Sequence, residues 1–201
     1  MSFIDLFPTT IFLKQLKEFD ISLFKNYILK SEIVQDMKDG KESSGAMTKE
    51  FNILNNSLFI DLKRDILNHA KNYLKEIGHR FLDLQIADSW GNILNQFESI
   101  HSHCHPNSYI SGTFYLTEGS SIHFESPLQE IKSMKPKKNY SENYRTWDSY
   151  AIKPQEGLLI IFPSWLNHTV SPATQNERVS IAFNILPKGM FGSPSARVNF
   201  I

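Results

Sequence analysis

From residue 82 onward the sequence is a series of short apolar runs rich in β-branched and aromatic residues, with no helical period between them. Residues 82–86 alternate Leu82, Leu84 and Ile86 with polar neighbours, and Trp90, Ile93 and Phe97 follow. Further runs lie at 110–116, 121–124, 150–152, 158–162 and 179–185, several of them closed by Gly, Pro, Asn or Ser. Such residues fit a pleated surface, and such boundaries are turns. Short strands without crossover helices bury their apolar sides by stacking or by closing on themselves, so the pattern predicts a sandwich or barrel.

The first 80 residues read differently. Asp20 and Ser22 are candidate N-caps for a helix reaching about Lys38 and stopping at Asp39-Gly40, with Leu23, Phe24, Tyr27 and Ile28 on one face. Residues 41–46 are polar and contain Gly45, which predicts a loop. A second helix starts near Ser57, carries Leu62, Ile66, Ala70, Tyr73, Leu74 and Ile77 at helical spacing, and ends at Gly78, a C-cap residue. The expected class is α+β. A chain of 201 residues suits a single domain, 1–201, with 1–80 a mainly helical support and 81–201 the β core. The stretch 126–147 shows no period, and a long structureless segment in a compact domain is often a functional lid.

Composition narrows the function. The 21 basic and 21 acidic residues cancel, which argues against a general polyanion binder and against charge-driven membrane attachment. One cysteine, Cys104, excludes an intrachain disulfide. The first residues lack the basic and apolar regions of a secretion signal, and no window is apolar enough to span a bilayer. The expectation is a soluble cytoplasmic protein with no nucleic-acid or membrane signal.

Four of seven histidines fall within residues 100–124: His101, His103, His105 and His123. Alternate residues of a strand share a face, so His103 and His105 can meet one metal if 102–105 is extended, and His101 shares their parity. His168 follows the apolar run 158–162 by six residues. Two histidines from one strand and one from a later strand would form a facial triad with open positions opposite. His69 and His79 read as ordinary solvated or hydrogen-bonded residues. A lone His-x-His is also common without a metal.

The line His103-Cys-His105-Pro, Ser111-Gly-Thr-Phe-Tyr115-Leu, Ile122-His-Phe124-Glu-Ser-Pro127, Gly157-Leu-Leu-Ile-Ile-Phe162-Pro-Ser-Trp165, His168-Thr-Val-Ser-Pro172 and Arg178-Val-Ser-Ile-Ala-Phe-Asn184 resembles the iron(II)/2-oxoglutarate-dependent oxygenase superfamily on its prolyl-hydroxylase-like side. The opening Leu6-Phe7-Pro8-Thr9 is similar to a bacterial and phage group within it. The resemblance implies a double-stranded β-helix, or jelly roll, with the N-terminal helices packed on one face. It implies ferrous iron held by His103, His105 and His168, and 2-oxoglutarate as cosubstrate. Arg178, ten residues past His168, would pair with the far carboxylate of 2-oxoglutarate, with Tyr115 assisting. No catalytic residue beyond the metal ligands is implied. The reaction would be hydroxylation of a small-molecule or peptide substrate with release of succinate and carbon dioxide, and Trp147 and Trp165 would line or cover the pocket.

The sequence departs from that pattern where His105 stands in place of the usual carboxylate. Glu98, Glu118 and Glu125 are the candidates to replace it, and Cys104 points away from the pair on a regular strand. Arg178 by itself also reads as a surface charge, and Tyr115 as a core aromatic. Two other classes stay open: a cupin-like metal-binding barrel, and a non-catalytic interaction module that has lost its metal carboxylate. Cupins usually follow His-x-His closely with a Glu ligand, whereas 106–109 contains no acid. The 126–147 segment carries Lys132, Lys135, Lys137, Lys138 and Arg145 against Glu130 and Glu142. It is expected either to close over an acidic or phosphorylated partner or to be a plain solvated loop. Oligomeric state is left open.

Overall fold

The computed structural model describes residues 1–38, 41–79, 83–128, 145 and 147–200. The elements run in the order β1 (Phe12–Gln15), α1 (Ile21–Lys30), β2 (Ile33–Lys38), β3 (Lys41–Thr48), α2 (Ile60–Glu76), β4 (Asp83–Leu94), β5 (Ile100–His103), β6 (Ile110–Tyr115), β7 (Ile122–Glu125), β8 (Ser149–Ile152), β9 (Leu158–Pro163), β10 (His168–Val170), β11 (Arg178–Phe191) and β12 (Val198–Phe200). All ladders are antiparallel. The major sheet has the order β1-β9-β6-β11-β4-β3-β2, with β12 paired to β11, and the minor sheet the order β5-β10-β7-β8. The fold is α+β, a double-stranded β-helix.

Both helices cover the outer face of the major sheet. Leu62, Ile66, Ala70, Tyr73 and Leu74 of α2 and Phe24 and Ile28 of α1 form one core with Phe114, Leu159, Ile161, Val179, Ile181 and Phe183. The alternate residues Tyr115, Ile160 and Phe162 face the other way and pack with Ile122, Phe124 and Ile152 of the minor sheet. The central strands β6 and β9 are therefore covered on both faces. This is why 158–162 reads as an unbroken apolar run instead of an alternating one. Gly112 belongs to the helix-facing side of β6, where an added Cβ would lie 2.4 Å from Phe183 Cζ and 2.5 Å from the Ile160 carbonyl oxygen. The close approach of the neighbouring strands β9 and β11 requires glycine there.

Two of the capping signals hold, at Asp20 and Gly78, whereas Ser22 lies inside α1 and α2 begins at Ile60, past the expected start at Ser57. Asp20 accepts a hydrogen bond from the Leu23 N–H at 3.1 Å at the start of α1. At the end of α2 the Gly78 N–H reaches the Lys75 carbonyl, and the His79 N–H reaches that of Leu74. That pair of bonds with Gly78 at φ +84° is a Schellman motif, and it places a glycine where a side chain would be strained.

The stretch expected as the tail of the first helix is different. Helix α1 stops at Lys30, and residues 33–38 and 41–48 form the antiparallel pair β2–β3 in place of the expected helix tail and loop. The β-branched pair Ile33-Val34 disfavours helix, and β3 gains partners in Ala46↔Ile93 and Met47↔Asn92 on the edge of β4. The short runs expected after residue 82 fuse into the twelve-residue strand β4, because β11 offers it a continuous ladder from Arg178↔Leu94 to Lys188↔Asp83. Most of the segment expected as a lid, 129–144 with 146, lies outside the described residues. At its C-terminal end Arg145 Nε and Nη2 donate to the Asp5 carboxylate at 2.6 and 3.0 Å. Among the described residues no helix is long and apolar enough to cross a membrane.

Candidate metal centre

His103, His105 and His168 are brought together at the mouth between the two sheets. Each offers one ring nitrogen, and these atoms all lie within 4.8 Å of one another. His168 opens β10 and is the register partner of His103 at the end of β5. Their ring centroids are 4.3 Å apart. The expected extended run through His105 does not form, since β5 ends at His103. His105 reaches the same point from the following turn, where its N–H donates to the Ser164 carbonyl at 2.8 Å. Its ring stacks near that of His168, with centroids 5.3 Å apart.

Backbone carbonyls orient two of the rings. His103 Nδ1 lies 2.9 Å from the His101 carbonyl oxygen, and His168 Nδ1 lies 3.0 Å from that of Leu166. A carbonyl only accepts, so each Nδ1 carries the hydrogen, and each Nε2 keeps its lone pair for a ligand. Phe124 and Phe162 pack against the His168 ring at 6.1 and 4.8 Å. Burial, with the neighbouring His103, pushes the His168 pKa down to about 3 and that of His105 to about 4. Both rings are therefore neutral near pH 7, the form that coordinates a metal.

None of the three glutamates joins this group. Glu98 accepts from the Asn95 N–H at 2.6 Å in a turn, Glu118 is exposed, and Glu125 lies on the β7 face opposite Phe124, the face of His123, which bonds Ser171. Cys104 is outside it as well. The donor set is three neutral imidazoles, which fit a divalent transition metal such as ferrous iron. Trp165 is exposed, and Trp147 stacks on Tyr150 with ring centroids 4.9 Å apart.

Arg178 begins β11 on its inward side and is only 2% exposed. Its Nη1 donates to Ser180 Oγ at 3.1 Å, and its Cζ sits 4.9 Å from the centroid of the fully buried Tyr115 ring. Burial lowers the Arg178 pKa and raises that of Tyr115, while each group's interaction with the other opposes the shift. Among the described residues no carboxylate pairs with Arg178, and its Nε has no hydrogen-bond partner. A buried guanidinium without a counter-ion is costly, and a carboxylate would match its forked donors.

The inner wall holds further polar residues that the sequence did not single out. Ser111 Oγ donates to Asn184 Oδ1 at 2.6 Å and is 2.8 Å from Ser164 Oγ. Trp90 faces the same interior, its ring 6.1 Å from that of His105. The available signal was the alternation along β4, which places Asp88, Trp90, Asn92 and Leu94 on one side once β11 is known as its partner.

Residues 88–184 match a family model described as "Putative 2OG-Fe(II) oxygenase". The fold is similar to HygX from Streptomyces hygroscopicus, solved with nickel and 2-oxoglutarate bound, at TM-score 0.62 and 12% identity over 89% of this chain and 83% of that one. It is similar to the non-haem α-ketoglutarate-dependent epimerase SnoN from nogalamycin biosynthesis at TM-score 0.66 and 9% identity, covering 92% of this chain and 79% of the other. A Pseudomonas putida prolyl-4-hydroxylase gives TM-score 0.57 and 12% identity over 90% and 94%. No curated protein matches the sequence. Residues 88–184 are thus similar to the 2OG-Fe(II) oxygenase family, as the sequence motifs implied.

Proposed function

We propose that the protein is an iron(II)- and 2-oxoglutarate-dependent dioxygenase that hydroxylates a small-molecule or peptide substrate, releasing succinate and carbon dioxide. The observation that carries this reading is Arg178, a buried cation with no anionic partner among the described residues, placed on the same interior as three converging imidazoles. His103 and His168 would hold the metal through Nε2, and His105 would complete a face of three ligands. Arg178 would anchor the far carboxylate of 2-oxoglutarate, with the Tyr115 hydroxyl beside it.

When bound, iron and 2-oxoglutarate supply dioxygen activation coupled to oxidative decarboxylation. The chain's own contribution is positional and electrostatic. The carbonyls of His101 and Leu166 fix two ring orientations, and burial keeps His105 and His168 unprotonated. Phe124 and Phe162 keep water from one side of His168. Three neutral ligands bring no charge of their own, so a dianionic cosubstrate would offset the charge of Arg178 with one carboxylate and only part of the metal's charge with the other. The solved structures of HygX with hygromycin B and of SnoN with nogalamycin RO support the small-molecule half of the substrate class.

Anaerobic ferrous titration followed by 2-oxoglutarate tests the reading. A visible charge-transfer band that needs both components, then succinate formation on admitting air, is the expected result. Tight ferrous binding with no band and no succinate would favour the cupin-like alternative, and absence of ferrous binding the non-catalytic module.

A further inference from the structure

Among the described residues two buried side-chain polar atoms have no hydrogen-bond partner, Arg178 Nε and Asp88 Oδ1. Such atoms are rare in folded proteins because each costs about 1–3 kcal/mol, so each calls for a partner, whether an ordered water, an ion or a ligand group. Arg178 is accounted for by the cosubstrate. Asp88 is not.

Asp88 lies on the histidine side of β4. It pairs with Asn184, as Trp90 pairs with Ala182 and Leu94 with Arg178, and paired residues of an antiparallel ladder share a face. Along β11, Asn184 is six residues from Arg178, about 20 Å at the rise of a strand. Trp90, whose ring stands 6.1 Å from that of His105, falls between the two ends. Asp88 is one inward position further, about 7 Å along the strand. The three imidazoles thus separate an anion-binding end of the interior from an end that holds a carboxylate. The β4–β11 ladder shifts register immediately beside Asp88, skipping Ala87, and a bulge of this kind re-aims the neighbouring side chain.

Asp88 is half-buried, and its surroundings leave Oδ1 without a partner. Ser111 gives its hydrogen to Asn184, and Trp90 Nε1 donates to Asn92 Oδ1 at 3.0 Å. Among the described residues Asp88 takes part in no ion pair. A neutral hydroxyl would fill the hydrogen-bonding vacancy but leave the charge, whereas an ammonium or guanidinium answers both. The indole of Trp90 two residues away offers a flat wall for the carbon atoms beside such a cation.

We propose that Asp88 is the substrate-selecting residue of this enzyme and that the group presented to it is a cationic nitrogen: the prime substrate is an amine or guanidine. This deepens the oxygenase reading and rests on it for the reaction, though not for the binding preference.

The test is calorimetric titration of the protein loaded with manganese and 2-oxoglutarate, using benzylamine and benzyl alcohol as matched probes at neutral pH. Manganese and 2-oxoglutarate binding are measured first, so failure of the oxygenase reading shows there, and the probes are then compared on the unloaded protein. The expected result is benzylamine binding about tenfold or more tightly than benzyl alcohol, as for a charge-assisted contact, with the preference lost in Asp88→Asn. Benzylamine binding no better than the alcohol, or a preference that persists in Asp88→Asn, overturns the proposal. The wild-type comparison needs no variant, so it decides the matter even if Asp88→Asn does not fold.

Discussion

His103 and His168 are direct register partners across the β5–β10 ladder, with ring centroids 4.3 Å apart although 65 residues separate them in the chain. One ladder contact therefore sets both the sheet register and the spacing of the candidate ligands. A slip of one residue in β10 would turn the His168 ring to the opposite face of the minor sheet.

The metal prediction follows from that pairing. Wild-type protein is expected to bind about one ferrous ion per chain, and His103→Ala or His168→Ala to abolish it, read by anaerobic titration and metal analysis. His105→Asp keeps or improves binding, because it adds an anionic ligand where the set has none. Unchanged iron content in both alanine variants would remove the site.

Arg178→Ala is expected to weaken 2-oxoglutarate binding roughly 10- to 150-fold, the equivalent of about 1.5–3 kcal/mol for a lost charge-assisted contact, while metal stays bound. Calorimetry with manganese in place of iron measures this. Equal cosubstrate affinity in wild type and variant would refute the role given to Arg178.

The pH dependence of the metal-free protein has a definite sign. Burial holds His105 near 4 and His168 near 3, whereas in the unfolded chain both titrate near the ordinary value of about 6.5. Between those values the unfolded state binds more protons, so stability falls as pH drops from about 6.5 toward 4. The melting temperature of the metal-free protein is expected to be lower at pH 5 than at pH 7, and the difference to shrink in His168→Ala. A melting temperature unchanged between the two conditions would contradict the burial argument.

Gly112→Ala places a methyl group against Phe183 and the Ile160 carbonyl. The cost expected from overpacking is about 1–3 kcal/mol, seen as a lowered denaturation midpoint. Gly78→Ala meets no atom within 4 Å and is strained only by its φ of +84°. It should therefore cost less than Gly112→Ala, and the reverse order would show that β6 has slack to move.

Local signals were legible where a residue's role depends on its neighbours in sequence. Asp20 and Gly78 cap their helices as their positions suggest, because capping uses backbone groups within one turn. The second helix was visible because its apolar stripe meets one flat sheet. Residues 33–38 and 41–46 are strand in place of the expected helix tail and loop, because their pairing depends on β4, about 40 residues further along the chain.

The sequence by itself determined the inventory of the candidate site: a His-x-His, a later histidine after an apolar strand, and an arginine ten residues on, with His103, His168 and Arg178 at strand ends. Strand parity, a property of consecutive residues, pairs His103 with His105, whereas the place of Arg178 is what the resemblance to the oxygenase superfamily implies. Tertiary structure decided which of them meet. His105 lies beyond its strand and reaches the other imidazoles through a turn held by the Ser164 carbonyl. Arg178 becomes a buried cation only when Tyr115 of β6 closes over it. Asp88 Oδ1 is left without a partner only when the β11 ladder turns the residue inward and its neighbours bond to one another instead. Burial and partnership depend on which strands lie side by side, and that is settled by the free energy of the whole packed core, not by any one segment.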